Sequence, residues 1–353
     1  MSAHVWQTRC MRVEDGIDED RGLLRVIVGD GVPLLLVGAG SLVLAGGFAL
    51  FLALSGEFLP HDIRYLGTSA TDLCSIANCR ITKFMIHDRA AFGGALVAIG
   101  VLYTYVVWFP LRRGETWAWW LLTLSATAGF LSFLAYLGYG YLDSWHGVGT
   151  ALLLPVFVVG LVRARRLVDV STPARLAGRL PNLGTRDGLG RACLLAGAAG
   201  VAAAGLEILR IGVTDVFVPE DLAFVGLSVD QLHALNPRLV SLIAHDRAGF
   251  GGAVFTTGFT ALGCLWYSRP TRALWETMFI AGTASLTAAI GIHLVVGYTD
   301  AWHLAPAVAG AASLLIGLAL MFPVAQQTRD AVAVDGSPSH RPPSHVPAEP
   351  GPS

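Results

Sequence analysis

Histidine and aspartate stand together at four places, two of them with arginine, in a chain that is otherwise strongly apolar. His87, Asp88 and Arg89 open HDRAAFGGA at 87–95, and His245, Asp246 and Arg247 open HDRAGFGGA at 245–253. Asp143 and His146 belong to GYLDSWH, and Asp300 and His303 to GYTDAWH. The spacing of three puts each of these last two pairs on one helix face. Such a set suits a transition metal (Zn, Fe, Mn or Cu), with His87, His146, His245 and His303 as ligands. It loosely echoes the carboxylate-x-x-His pairs of di-metal four-helix bundles. It equally suits acid–base catalysis, because a histidine beside a carboxylate is oriented by it and titrates near neutrality. Haem held by histidine pairs fits less well, since these histidines fall at the expected helix ends beside Asp and Arg.

Arg89 and Arg247 add bidentate anion recognition. Both fall near expected helix starts, which also favour anions. A lipophilic or anionic small molecule, such as a lipid head group or a quinone-like compound, fits that face. Two features have no counterpart in the other copy. Glu207 and Arg210 are charged residues within a span, and His293 stands where the first copy has Tyr136. Ionisable residues inside a span are functional candidates. If the second copy is the working half, Glu207, His245, His293 and His303 form its core.

A plainer reading competes for the same residues. Aspartate at a helix start caps it, arginine pairs with the aspartate, and Trp145 and Trp302 sit in an interfacial belt. The FGG glycines allow close helix packing. Asp62 in FLPHD and Asp221 in FVPED cap short outer helices, while His61, replaced by Glu220, cannot be a symmetric ligand. Glu207 and Arg210 can simply neutralise each other.

The elements that must carry these residues are membrane helices. The 353 residues are 54% hydrophobic and only 14% charged, against about 25% charged in soluble domains. This excludes a disordered chain, a basic nucleic-acid binder and a disulfide-stapled mini-domain. Eight apolar stretches reach the roughly 20 residues a spanning helix needs, near 32–55, 90–110, 116–139, 146–163, 190–212, 248–267, 274–297 and 303–323. They are too long, and alternate too little, to be strands.

The motifs repeat at one offset: HDR at 158, GYxDxWH at 157, FLPHD to FVPED at 159. The fold class expected is therefore all-α and polytopic, two four-span repeats in parallel about a pseudo-twofold axis along the membrane normal. The expected segments are 1–22, a first repeat at 23–163, an Arg-rich linker at 164–189, a second repeat at 190–325 and a disordered tail at 326–353. Seventeen basic residues fall on the side of the termini and seven on the other. That bias puts both termini in the cytoplasm of a bacterial inner membrane, and the motifs on the outer face. No signal peptide is visible, so the first span reads as an uncleaved anchor. Cys74 and Cys79 form a disulfide, or stay as two thiols, in the first outer loop.

Walker, dinucleotide-glycine, GxSxG, HExxH and CxxCH motifs are absent. The reading that results is a membrane enzyme, metal-dependent or acid–base, acting on a lipophilic or lipid-linked substrate. A proton-coupled transporter and a non-catalytic membrane subunit with a protein partner are its alternatives.

Overall fold

The structure, a computed structural model, describes residues 28–134, 138, 141, 144–169 and 180–335. Asp143, the expected N-terminal segment 1–22, part of the linker and the end of the tail lie outside these residues. The described residues form α1 (Val32–Ser55), α2 (Pro60–Leu66), α3 (Ala70–Cys74), α4 (Arg80–Val106), α5 (Thr116–Leu134), α6 (Ser144–Ala164), α7 (Arg186–Val213), α8 (Pro219–Val225), α9 (Val229–Leu235), α10 (Leu239–Tyr267), α11 (Arg272–Val296) and α12 (Ala301–Asp335). There is no strand among them. The last helix continues to Asp335, past position 326 where disorder is expected.

Seven helices are long and apolar enough to cross a membrane: Val32–Ser55, Ala77–Leu111, His146–Leu167, Arg186–Val213, Leu239–Tyr267, Arg272–Val296 and Ala301–Phe322. This is the pattern of a multi-pass membrane protein. The stretch expected as the third span forms the 19-residue helix α5, which is not among the seven. Two helices form the centre. In α4 and α10, 78% and 67% of the spanning stretch is buried, against 17–22% in the other five. These two helices carry the HDRxxFGG motifs.

Both central helices start earlier than expected, at Arg80 and Leu239. HDR therefore lies about two turns inside each helix rather than at its start. Asp88 and Asp246 are not caps, and Arg89 and Arg247 do not sit at helix N-termini. Before α4, the disulfide Cys74–Cys79 ties the end of α3 to the helix start. Ala77, Asn78 and Cys79 turn the chain there through three successive left-handed conformations.

The FGG glycines bring the helices together. A Cβ at Gly93 would meet Leu50 of α1 at 3.0 Å, and one at Gly94 would meet Ala288 of α11 at 2.5 Å. Gly251 faces Leu209 of α7, and Gly252 faces Ser132 of α5. Helix α11 thus rests on α4, and α5 on α10. An indole ties α5 to α6, and another ties α11 to α12. Trp119 donates to the Leu161 carbonyl and Trp275 to the Leu318 carbonyl, each at 2.9 Å. Among the described residues, the helices of the two expected repeats therefore interleave. Gly94→Val should overpack the α4–α11 contact and cost about 1–3 kcal/mol. Gly47→Val, where a Cβ meets nothing within 4 Å, should be nearly neutral. Thermal shifts in detergent compare the two.

Candidate functional site

At the end of the bundle that carries α2, α3, α8 and α9, two buried polar networks lie beside the α4–α10 pair. In the first, Arg247 of α10 pairs with Asp221 and donates to the Val216 carbonyl at 2.8 Å, with Asp88 of α4 at 3.8 Å. In the second, Arg89 of α4 pairs with Asp62 and Asp246, each at 2.8 Å. Tyr298 donates to Asp221 at 2.8 Å, and Tyr141 to Asp62 at 2.6 Å. Asp62 and Asp221 also accept from the Leu59 and Val218 amides, capping α2 and α8. The expected caps exist, and the same carboxylates hold the arginines.

Four carboxylates (Asp62, Asp88, Asp221, Asp246) face two guanidiniums, so the cluster carries an excess of two negative charges when its imidazoles are neutral. Asp62, Asp88, Asp221 and Arg247 are buried. Isolated charges in such surroundings are costly. Burial raises the Asp221 pKa, but Arg247 outweighs it and holds the carboxyl below its ordinary value. Burial, with Asp221 beside it, pushes the Tyr298 phenol up, so it stays a donor.

Three histidines converge on the first network. His87 of α4, His293 of α11 and His303 of α12 offer ligand atoms that lie within 4.8 Å of one another. The second nitrogen of each ring is engaged. His87 Nδ1 meets the Asp88 carboxylate at 2.9 Å, and His293 Nδ1 meets the Ala289 carbonyl at 2.6 Å. Both partners only accept, so both Nδ1 atoms carry hydrogen. The Tyr298 hydroxyl hydrogen goes to Asp221, so its oxygen accepts from His303 Nδ1 at 3.1 Å. In neutral rings the three Nε2 atoms then bear lone pairs. His87 Nε2 and His293 Nε2 stand 3.0 Å apart. Two facing lone pairs at that distance repel, which a proton on one of the two nitrogens or a metal ion beside them would relieve.

The second network holds the other two motif histidines. His245 bonds Asp246 at 3.0 Å, and its ring lies 5.3 Å from His146 and 4.9 Å from Tyr141, centroid to centroid. His146 and His245 border an apolar cavity of about 470 Å³ between α1, α4, α6 and α10.

The four motif histidines therefore divide two and two rather than forming one set. The core Glu207, His245, His293 and His303 does not assemble: His87 stands beside His293 and His303, and His245 faces His146. Glu207 pairs with Arg210 at 2.7 Å, both more than half exposed, and Arg210 extends towards Asp215. Asp300 is exposed and caps α12 by accepting from the His303 amide at 2.8 Å. Trp302 is 84% exposed, as an interfacial residue would be. Arg89 and Arg247 are each held between two carboxylates, which leaves them poorly suited to an external anion.

Asp62, Asp221, Tyr141 and Tyr298 are site residues that the motif reading did not assign a site role. Their signal was in the repeats, since both copies keep Asp in the first motif and Tyr in the second. Comparison of the chain with models of protein families, with curated proteins and with solved structures finds no match.

Proposed function

We propose that the protein is a metal-dependent membrane enzyme with its metal centre at His87, His293 and His303, acting on a lipophilic substrate. The observation that carries this reading is the convergence of three imidazoles, each offering a nitrogen within 4.8 Å of the others, while their Nδ1 atoms meet Asp88, Ala289 and Tyr298. Carboxylate, carbonyl and hydroxyl partners of this kind orient metal-binding imidazoles and raise their basicity. A divalent ion would also offset the excess of two negative charges. Three protein nitrogens leave a coordination position open, the arrangement of catalytic rather than structural zinc sites. Such an ion would supply Lewis acidity. The chain's own part is to hold the rings: Asp88 fixes the tautomer of His87, Ala289 that of His293, and Tyr298 that of His303. The apolar cavity on the other network supports a substrate drawn from the bilayer.

The architecture proposed is eight spans, with α5 as the third, in two parallel repeats. Contacts paired at offsets of 156–159 support the repeat: Arg89–Asp62 with Arg247–Asp221, Tyr141–Asp62 with Tyr298–Asp221, and Trp119–Leu161 with Trp275–Leu318. The charge bias supports cytoplasmic termini in a bacterial inner membrane, with both networks on the outer side. The exposed, self-paired Glu207 and Arg210 lend no support to a proton path through that pair.

Metal content tests the reading. The full chain, purified without chelator and offered Zn, Fe, Mn or Cu, should hold about one ion per chain. His293→Ala should lose most of it, and His146→Ala should keep it. A folded wild type that holds none of these metals would overturn the proposal.

A further inference from the structure

We infer that the Cys74–Cys79 disulfide is a reversible redox couple, and that the cavity beside it takes a membrane quinone as its two-electron partner. This site is separate from the three-histidine centre and does not depend on the enzyme reading above.

The ring that the disulfide closes is strained in its backbone. Among the described residues four non-glycine residues have positive φ, and three of them, Ala77, Asn78 and Cys79, stand in a row inside this ring, at 50°, 52° and 65°. Alanine and cysteine are disfavoured in that conformation, so opening the ring lets the chain relax. Disulfides held against such strain are easier to reduce than structural ones. The electrostatics favour the same chemistry. Cys79 is the N-cap of the 27-residue helix α4, whose first turn carries Lys83. A helix start and an ammonium both favour negative charge on sulfur, the form that attacks.

The cavity sets the partner. It has a volume of about 340 Å³ and is bordered by both cysteines. Its apolar wall comes from Ala53 and Leu54 of α1, Ile86 of α4, and Ile292, Val295 and Val296 of α11. Leu54 and Val295 are 69% and 68% exposed, and each stands one residue before the end of its helix. The cavity therefore meets lipid at the membrane boundary, and its volume suits one small ligand. Lys83 is its one charged residue and has no hydrogen-bond or ion-pair partner among the described residues. A lipid tail would leave that ammonium unmatched, and a lipid phosphate would match it but leave the disulfide idle. A quinone carbonyl accepts from the ammonium, its ring packs on the apolar wall, and it takes two electrons.

The electrons and protons balance in two steps. A thiol donor on the outer side opens the Cys74–Cys79 bond by exchange, and two donor thiols become a disulfide. The Cys74 and Cys79 thiols then pass two electrons and two protons to the quinone. Their S–S bond forms again, and hydroquinone leaves into the bilayer.

The test uses the full chain in phosphatidylcholine nanodiscs. The protein is reduced with dithiothreitol, freed of it and mixed with a decyl-tailed benzoquinone. Absorbance follows the hydroquinone, and alkylation with mass spectrometry follows Cys74 and Cys79. Each chain should yield about one hydroquinone as the Cys74–Cys79 bond forms again, and Cys79→Ser should abolish that yield. Lys83→Met removes the donor to the quinone carbonyl, and Val295→Trp fills the rim of the cavity. Each should slow the re-oxidation about tenfold, and slowing in either folded variant supports the site. Val295→Trp should leave reduction by dithiothreitol unchanged. A disulfide that dithiothreitol does not open in the folded protein, dithiols that the quinone leaves reduced, or re-oxidation indifferent to both variants would each overturn the inference.

Discussion

Arg247→Met should destabilise the protein by about 3–5 kcal/mol, the largest loss expected of any single substitution at the site. Removing one partner of a buried ion pair leaves the other charged and uncompensated. Here it leaves two, because Arg247 serves both Asp221 and Asp88. It also strips a donor from the Val216 carbonyl. Adding Asp221→Asn to Arg247→Met should restore part of the loss, since the second change removes the orphaned charge. A thermal-unfolding series in one detergent gives both numbers. A variant within about 0.5 kcal/mol of wild type, the range of ordinary surface substitutions, would mean that the pair does not hold α8 to α10. The same pair makes stability acid-sensitive. The Asp221 pKa is depressed in the folded state, so its contribution is complete above the ordinary aspartate value. It is lost as pH falls through the depressed one. Asp221→Asn should flatten the acid limb of the stability profile.

Asp88→Asn should weaken metal binding by about 10- to 100-fold while all three ligand histidines remain. Asp88 accepts from His87 Nδ1, which fixes the tautomer that presents Nε2. An amide can turn its NH₂ towards that ring and favour the wrong tautomer. The paired change in the second network, Asp246→Asn, acts on His245, which lies outside the three-histidine group. It should leave metal affinity unchanged. Competition titrations with a chromophoric chelator separate the two. Equal losses from both variants would indicate one shared centre.

Much of the site was legible because polar residues in an apolar chain have few places to hide. The HDR and GYxDxWH copies stood out by type and by their common offset, and the structure gathers their described histidines at one end of the bundle. Three things were not legible, each for a physical reason. The expected span begins near 90, yet Arg80 and Lys83 already lie in the first turns of α4, so HDR lies deeper than the apolar pattern suggests. An offset shows which residues correspond but not which helices touch. Because α11 packs on α4 and α5 on α10, His293 joins His87 instead of His245. The outward direction of Glu207 and Arg210 depends on how α7 is rotated in the bundle. Spacing alone identified them as a pair and could not set that rotation. Asp62 and Asp221 were read correctly as caps, but the arginines that reach them come from helices 26 or 27 residues further along the chain.

X-ray absorption on the metal-loaded protein tests the three-histidine centre most directly. The expected spectrum shows three imidazole nitrogens at about 2.0–2.1 Å from a zinc ion, reduced to two in His293→Ala and unchanged in His146→Ala. A sulfur scatterer at about 2.3 Å, or a spectrum altered by His146→Ala and indifferent to His293→Ala, would contradict it.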